Sequence, residues 1–181
     1  MQLDSTYWNT ATRLLPSAAV ATNPPLDLVL SPINGEARPL SEWLTTFHLA
    51  SVVLDPFTNE SSWILSTAAR ILDGFREADV RTNFVVTADE DDARAFVGPL
   101  AERFLIFADR DRAIVKAIGL DELPAFVFLR VDGTVPAVAE GWDAVAWRNV
   151  AEEIARTTSW MYPTIPAPGD PGPFRGTPAL A

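Results

Sequence analysis

Residues 123–134, Leu-Pro-Ala-Phe-Val-Phe-Leu-Arg-Val-Asp-Gly-Thr, decide how this chain is read. Ala125, Phe126, Val127, Phe128 and Leu129 form a continuous apolar run of the kind that a strand covered on both faces requires. Pro124 has no N–H to give to a sheet ladder, so the strand is expected to begin just after it. Asp132-Gly133 supplies a tight turn, and residues 135–139 return as a partner strand, giving a β-hairpin.

Working backwards, Phe104-Leu105-Ile106-Phe107 reads as a strand, and Asp109 opens a helix carrying Ala113, Ile114, Ala117 and Ile118 that Gly119 ends. Asn83-Phe84-Val85-Val86-Thr87 is a further strand. Asp89-Glu90-Asp91-Asp92 then begins a helix where the dipole favours negative charge. Leu49-Ala-Ser-Val-Val-Leu54 is another covered strand, followed after Asp55-Pro56 by helical spacing of Ile64, Ala68, Ile71, Leu72 and Phe75. That spacing predicts a helix over residues 61–77, with Thr58 or Asn59 as caps. Forwards of the hairpin, Gly141-Trp142-Asp143 precedes a closing amphipathic helix marked by Val145, Trp147, Val150, Ile154 and Ala155. Trp142, Trp147 and Trp160 either pack in the core or mark a binding face.

The N-terminal part is less regular. Residues 6–22 suggest a short helix limited by Pro16. Residues 26–30 read as a strand, Pro32-Ile33-Asn34-Gly35 as a bend, and residues 40–47 as a short amphipathic helix capped by Ser41. At the other end, residues 163–181 hold six prolines and three glycines, a composition that continues neither helix nor central strand and predicts an extended or disordered tail. Ile165, Phe174 and Leu180 are its candidates for docking, on this domain or on a partner. The expected organisation is an extension over residues 1–25, one domain over 26–160 and a tail over 161–181.

Composition removes several chemistries. With no cysteine among 181 residues, the chain has no disulfide, thiolate nucleophile, iron–sulfur cluster or cysteine-bound zinc. His48 is the single histidine, too few nitrogen ligands for a catalytic zinc site. A net charge of −10 argues against a phosphate backbone or an anionic membrane surface as partner. No stretch of about 18 apolar residues occurs and the first residues lack the pattern of a secretory signal, so the expected location is the cytoplasm. No phosphate-binding or dinucleotide glycine motif is present, and no cofactor is expected.

The order β-α-β-α-β-α-β-β-α from Leu49 onward, with Leu123-Pro124 before the hairpin and Gly141-Trp142 after it, resembles the thioredoxin fold over residues 26–155. The early strand, bend and helix look like the opening of the peroxiredoxin and TlpA-like branches. The resemblance implies a three-layer α/β/α sandwich with a mixed central sheet, a C-terminal hairpin and a closing helix. It also implies that Pro124 is cis and lies beside residues 56–63, the place of the family's active-site loop. There the family carries Cys-x-x-Cys or one peroxidatic cysteine, and this chain reads Thr58-Asn59-Glu60-Ser61-Ser62-Trp63. A serine hydroxyl at that helix start is far too basic to attack a disulfide or peroxide near neutrality, so the expected member is cysteine-less and does no redox work.

What remains of the site is a surface. In the resemblance, an extended peptide pairs with the residue before the cis-proline. Phe57, Asn59, Glu60, Ser61, Ser62, Trp63, Leu123, Pro124 and Trp142 are therefore the candidate partner-binding residues; for the polar ones helix capping is the plainer explanation. The expected function is an adaptor or chaperone-like protein that holds a protein partner, basic or neutral in view of the acidity. Two alternatives stay open. Asp55 and Glu60, near the carboxyl end of a core strand, have the chemistry for acid–base work or for Mg²⁺ or Ca²⁺; or the chain is a structural subunit of a homo-oligomer docked through its tail. A hydrolase using Ser61 or Ser62 would need His48, which falls at the far end of the strand that leads to Asp55.

Overall fold

The computed structural model describes residues 21–181. The helix expected over residues 6–22, like most of the extension over residues 1–25, lies outside them.

Among the described residues, nine strands and five α-helices follow one another as β1 (Val29–Pro32), β2 (Arg38–Pro39), α1 (Leu40–Trp43), β3 (His48–Leu54), α2 (Asn59–Asp73), β4 (Val80–Val86), α3 (Glu90–Val97), β5 (Leu105–Ala108), α4 (Ala113–Ile118), β6 (Glu122–Leu123), β7 (Ala125–Leu129), β8 (Ala137–Glu140), α5 (Ala144–Thr158) and β9 (Thr177–Pro178). A 3₁₀ turn, Gly98–Glu102, links α3 to β5. One sheet has the order β2-β1-β5-β4-β3-β7-β8, and β6 pairs with β9 in a separate two-stranded ladder. β3 runs parallel to β4 and antiparallel to β7, so the sheet is mixed with β3 near its middle.

The apolar runs seen in the sequence are buried for the reason expected of them, since both sheet faces are covered. One face packs against α2, α3 and α5 through Ile64, Ile71, Phe75, Val97, Trp147 and Ile154. The other packs against α1 and α4 through Leu40, Leu44, Ile114 and Ile118. This is the three-layer sandwich.

Boundaries move where local chemistry competes. The helix expected over residues 40–47 stops at Trp43, and its N-cap position is Pro39, with no side-chain cap from Ser41. The Thr45 hydroxyl instead donates to the carbonyls of Ser41 and Glu42, and the chain turns into β3. β8 starts at Ala137, two residues later than expected, because Pro136 has no N–H for the ladder. α2 begins at Asn59, with Thr58 at its N-cap position but its hydroxyl donating back to Asp55 O. Asp89 and Asp143 cap α3 and α5 by accepting from the N–H groups of Asp92 and Ala146. Gly119, at φ 77, ends α4.

Candidate polypeptide-binding groove

β3 delivers the chain to Asp55, and α2 starts a few residues later. The bend between them is tied from inside: Asp55 N–H donates to Ser61 Oγ at 2.9 Å, and Phe57 N–H donates to Asp55 Oδ1 at 3.0 Å. Val53 stands opposite Ala125 across the β3–β7 ladder, which brings Pro124 beside this bend. The Leu123–Pro124 peptide bond is cis, and Gly141 N–H donates to Pro124 O at 2.8 Å. Loop, proline and Gly141-Trp142 thus converge at one end of the sheet.

The groove they form is occupied by the chain's own C-terminal segment. After α5 the chain doubles back. Ile165 enters the core, while the Asp170 carboxylate accepts from Arg70 Nη2 through both oxygens, at 3.0 and 2.7 Å, from the Thr67 hydroxyl at 3.0 Å and from Ala167 N–H at 2.7 Å; Arg70 Nη1 donates instead to Thr164 O. Trp142 Nε1–H donates to Pro171 O at 2.8 Å. Trp142 and Phe174 then exchange backbone bonds of 2.9 and 3.0 Å, and β9 pairs antiparallel with β6, Leu123 opposite Thr177 and Glu122 opposite Pro178. Ala179 N–H donates to Asp121 O at 2.8 Å, and Ala179 O accepts from Arg112 Nη1.

Glycine is required on both sides of this contact. A Cβ on Gly141, which sits at φ +66, would lie 2.9 Å from Gly176 N and Phe174 O; one on Gly176 would lie 2.8 Å from Leu123 O and Glu122 Cβ. Such distances are too short for any side chain at either position. The tail lies this close because its glycine faces a glycine turn.

The candidate residues fall into two groups. Phe57 and Trp63 are 72% and 55% exposed, and Asn59 and Ser62 are exposed beside them, with Glu60 half-buried in the first turn of α2. The Trp63 indole meets the Phe174 ring edge-on at 5.5 Å between centroids. Ser61, Leu123, Pro124 and Trp142 are buried: Ser61 by its bond to the Asp55 amide, the others under the tail and the hairpin. Of the tail residues that the sequence offered for docking, Ile165 and Phe174 pack on this domain and Leu180 is 60% exposed; Arg112, Glu122, Gly141 as a close-contact residue, and Gly176 were not singled out.

The acids behave differently from the acid–base alternative. Asp55 is buried, and its Oδ2 accepts from Arg112 Nη2 at 2.9 Å while Oδ1 is taken by Phe57 N–H. Among the described residues, no three His, Asp or Glu side chains gather as a metal-binding group. His48 begins β3 at the opposite end from Asp55, and its Nδ1 accepts from Val131 N–H at 3.0 Å. Burial lowers its pKa, helped by the Arg130 charge. Among the described residues, no serine hydroxyl is hydrogen-bonded to His48.

Glu140, on β8, accepts from Asp121 N–H at 2.9 Å. Burial, and then the negative charges of Asp121 and Glu122, hold its carboxyl above the ordinary range. The folded state therefore keeps this proton more readily than the unfolded chain does. The associated stability is complete below the ordinary carboxyl pKa and is lost as pH rises through the raised one. In thermal melts from acid to neutral pH, Glu140→Gln should gain Tm on the wild type steadily as pH rises. A pH-independent difference would remove Glu140 as a source of pH sensitivity.

No protein-family model matches this chain, and no curated protein does. Solved structures do. A secreted disulfide oxidoreductase of Mycobacterium tuberculosis, homologous to E. coli DsbE, aligns with a TM-score of 0.57 at 18% identity, over 72% of this chain and 96% of that one. Peroxiredoxin Q of Xanthomonas campestris aligns with a TM-score of 0.60 at 16% identity, over 76% and 96%. The fold is thioredoxin-like. A hypothetical protein of Sinorhizobium meliloti 1021 matches over 91% of this chain and 95% of its own, with a TM-score of 0.65 at 16% identity. This thioredoxin-like chain contains no cysteine, so the helix start at Asn59 carries no thiol. None of its described helices is long and apolar enough to cross a membrane.

Proposed function

We propose that this is a non-catalytic thioredoxin-fold protein that holds a polypeptide partner, as an adaptor or chaperone-like assembly factor. One observation carries the reading: an extended segment already lies in the groove before the cis-proline, paired by backbone to Glu122 and Leu123 and touching Trp63 through an aromatic ring. Backbone pairing at a short free edge binds extended chain of many sequences, and aromatic side chains at the rim supply the anchors. Phe57, Asn59, Glu60, Ser62 and Trp63 form the accessible rim in this reading, and Leu123, Pro124 and Trp142 its floor. A net charge of −10 favours a basic or neutral partner. The rival acid–base or metal reading loses support because Asp55 is already neutralised by Arg112.

The test is quantitative capture from native lysate by the wild type and by Phe57→Ala and Trp63→Ala chains of matched Tm. Both variants should lose the same partner by more than about tenfold, as expected when an anchor side chain is truncated. Equal capture by all three chains would reject this surface.

A further inference from the structure

We infer that the partner segment recognised at this groove has the chemistry of residues 174–179, aromatic, basic, glycine, hydroxyl, proline, small, and that the tail is a built-in competitor which the partner must displace. The inference rests on the partner-binding reading and specifies its ligand.

Each position of the tail meets a distinct feature. Phe174 lies against Trp63 and exchanges two backbone bonds with Trp142. The Arg175 side chain is 87% exposed, yet its guanidinium pairs with Glu122, which stands with Asp121 and Glu140 in an acidic edge. A basic residue belongs there. Gly176 has no room for a side chain, since the Leu123 carbonyl and the Glu122 Cβ occupy the place of its Cβ. Its N–H donates to Glu122 Oε2 at 3.2 Å. The Thr177 hydroxyl donates to Leu123 O at 3.3 Å. Pro178 is exposed and faces Glu122 in the β6–β9 pair, where a missing N–H costs nothing at the outer edge. Ala179 is buried, its N–H and carbonyl held by Asp121 and Arg112, so only a small residue fits.

The tail also divides into a fixed and an exchangeable part. Ile165 is in the core, and the Asp170 side chain is 4% exposed in its contact with Arg70, so residues up to 170 are fastened to α2. Beyond them only Ala179 is fully buried, and the ladder holding the segment is two residues long. A tethered ligand of this kind acts at an effective concentration on the order of millimolar, enough to mask the groove from a weak ligand but not from a strong one.

A fluorescent peptide with the sequence of residues 171–181 tests this by anisotropy against the full chain and its Gly176→Val variant, whose own tail cannot seat. Hydrogen exchange at the Phe174 and Ala179 amides should accelerate in the variant, reporting release. The peptide should bind the variant at least tenfold more tightly than the wild type, and a peptide carrying Gly176→Val should bind at least tenfold more weakly. Equal binding to both chains, equal binding of both peptides, or amides that stay protected in the variant would each overturn the inference. So would a wild-type dimer that the peptide dissociates, which would give the groove to the tail of a second copy. Absent peptide binding alongside capture that depends on Phe57 and Trp63 retires the tail as template and leaves the partner-binding reading standing; peptide binding with unaffected capture does the reverse.

Discussion

Arg112→Ala is expected to destabilise the chain by about 3–5 kcal/mol, the usual loss when one member of a buried ion pair is removed. Side-chain exposures of 17% for Arg112 and 7% for Asp55 place this pair well inside. Without the guanidinium, the Asp55 carboxylate retains only Phe57 N–H as a donor, in a site too dry to hydrate the charge. The same guanidinium holds Ala179 O, so the tail loses that bond as well. Arg112 sits at φ 55, a left-handed conformation that alanine finds no easier, so the comparison isolates the side chain. At about 2–4 °C per kcal/mol for a domain of this size, Tm should fall on the order of 10 °C. Asp55→Asn in the same background should recover part of the loss, because the stranded charge is gone. Strictly additive losses in that double-mutant cycle would show that the pair is not coupled. Arg112→Lys should fall between, since a single ammonium does not span both acceptors.

Trp147→Ala should cost about 3–5 kcal/mol, read from denaturant midpoints at unchanged slope. Trp147 is fully buried on α5, its ring 5.1 Å from Phe126 and 5.2 Å from Trp142. Its Nε1–H donates to Gly141 O at 2.8 Å. Trp147→Phe keeps most of the apolar burial and deletes that donor, and should cost about 1–2 kcal/mol. The substitution also has a consequence at the groove. Gly141 donates to Pro124 O on one side and crowds Gly176 on the other, so loosening it should speed exchange at the Phe174 amide in both variants. A Trp147→Phe chain as stable as the wild type would remove the indole bond from this account.

Most of the frame is legible in the sequence. The runs at Leu49–Leu54 and Ala125–Leu129, the helical spacing from Ile64 to Leu72, and Gly119 each have a local cause, and each led to an element of the expected type. The cis-proline was placed through the resemblance, which depends on the order of the elements. The groove loop was legible in the same way, because the chain must turn between β3 and α2 wherever the sheet ends.

That Ile165 and Phe174 could dock was legible, but the path of the tail was not: it is neither disordered nor loosely attached, and its docking changes the site. Its prolines and glycines state only what it cannot form. Docking it depends on pairs distant in sequence, Gly141 with Gly176, Glu122 with Arg175, Arg70 with Asp170, none of which has a local period or motif. The short helix at Leu40–Trp43 likewise ended where Thr45 found backbone acceptors.

By itself the sequence determined the layer order, the strand that leads to the groove and the absence of thiol chemistry, because periodicity and residue identity act within a few residues of where they are read. Only the tertiary structure decided which candidate residues are reachable, that Asp55 is neutralised by Arg112, and that the groove holds an extended segment of the same chain. Those outcomes are set by close approach between surfaces that folding brings together, where the lack of one Cβ or the position of one guanidinium determines what fits.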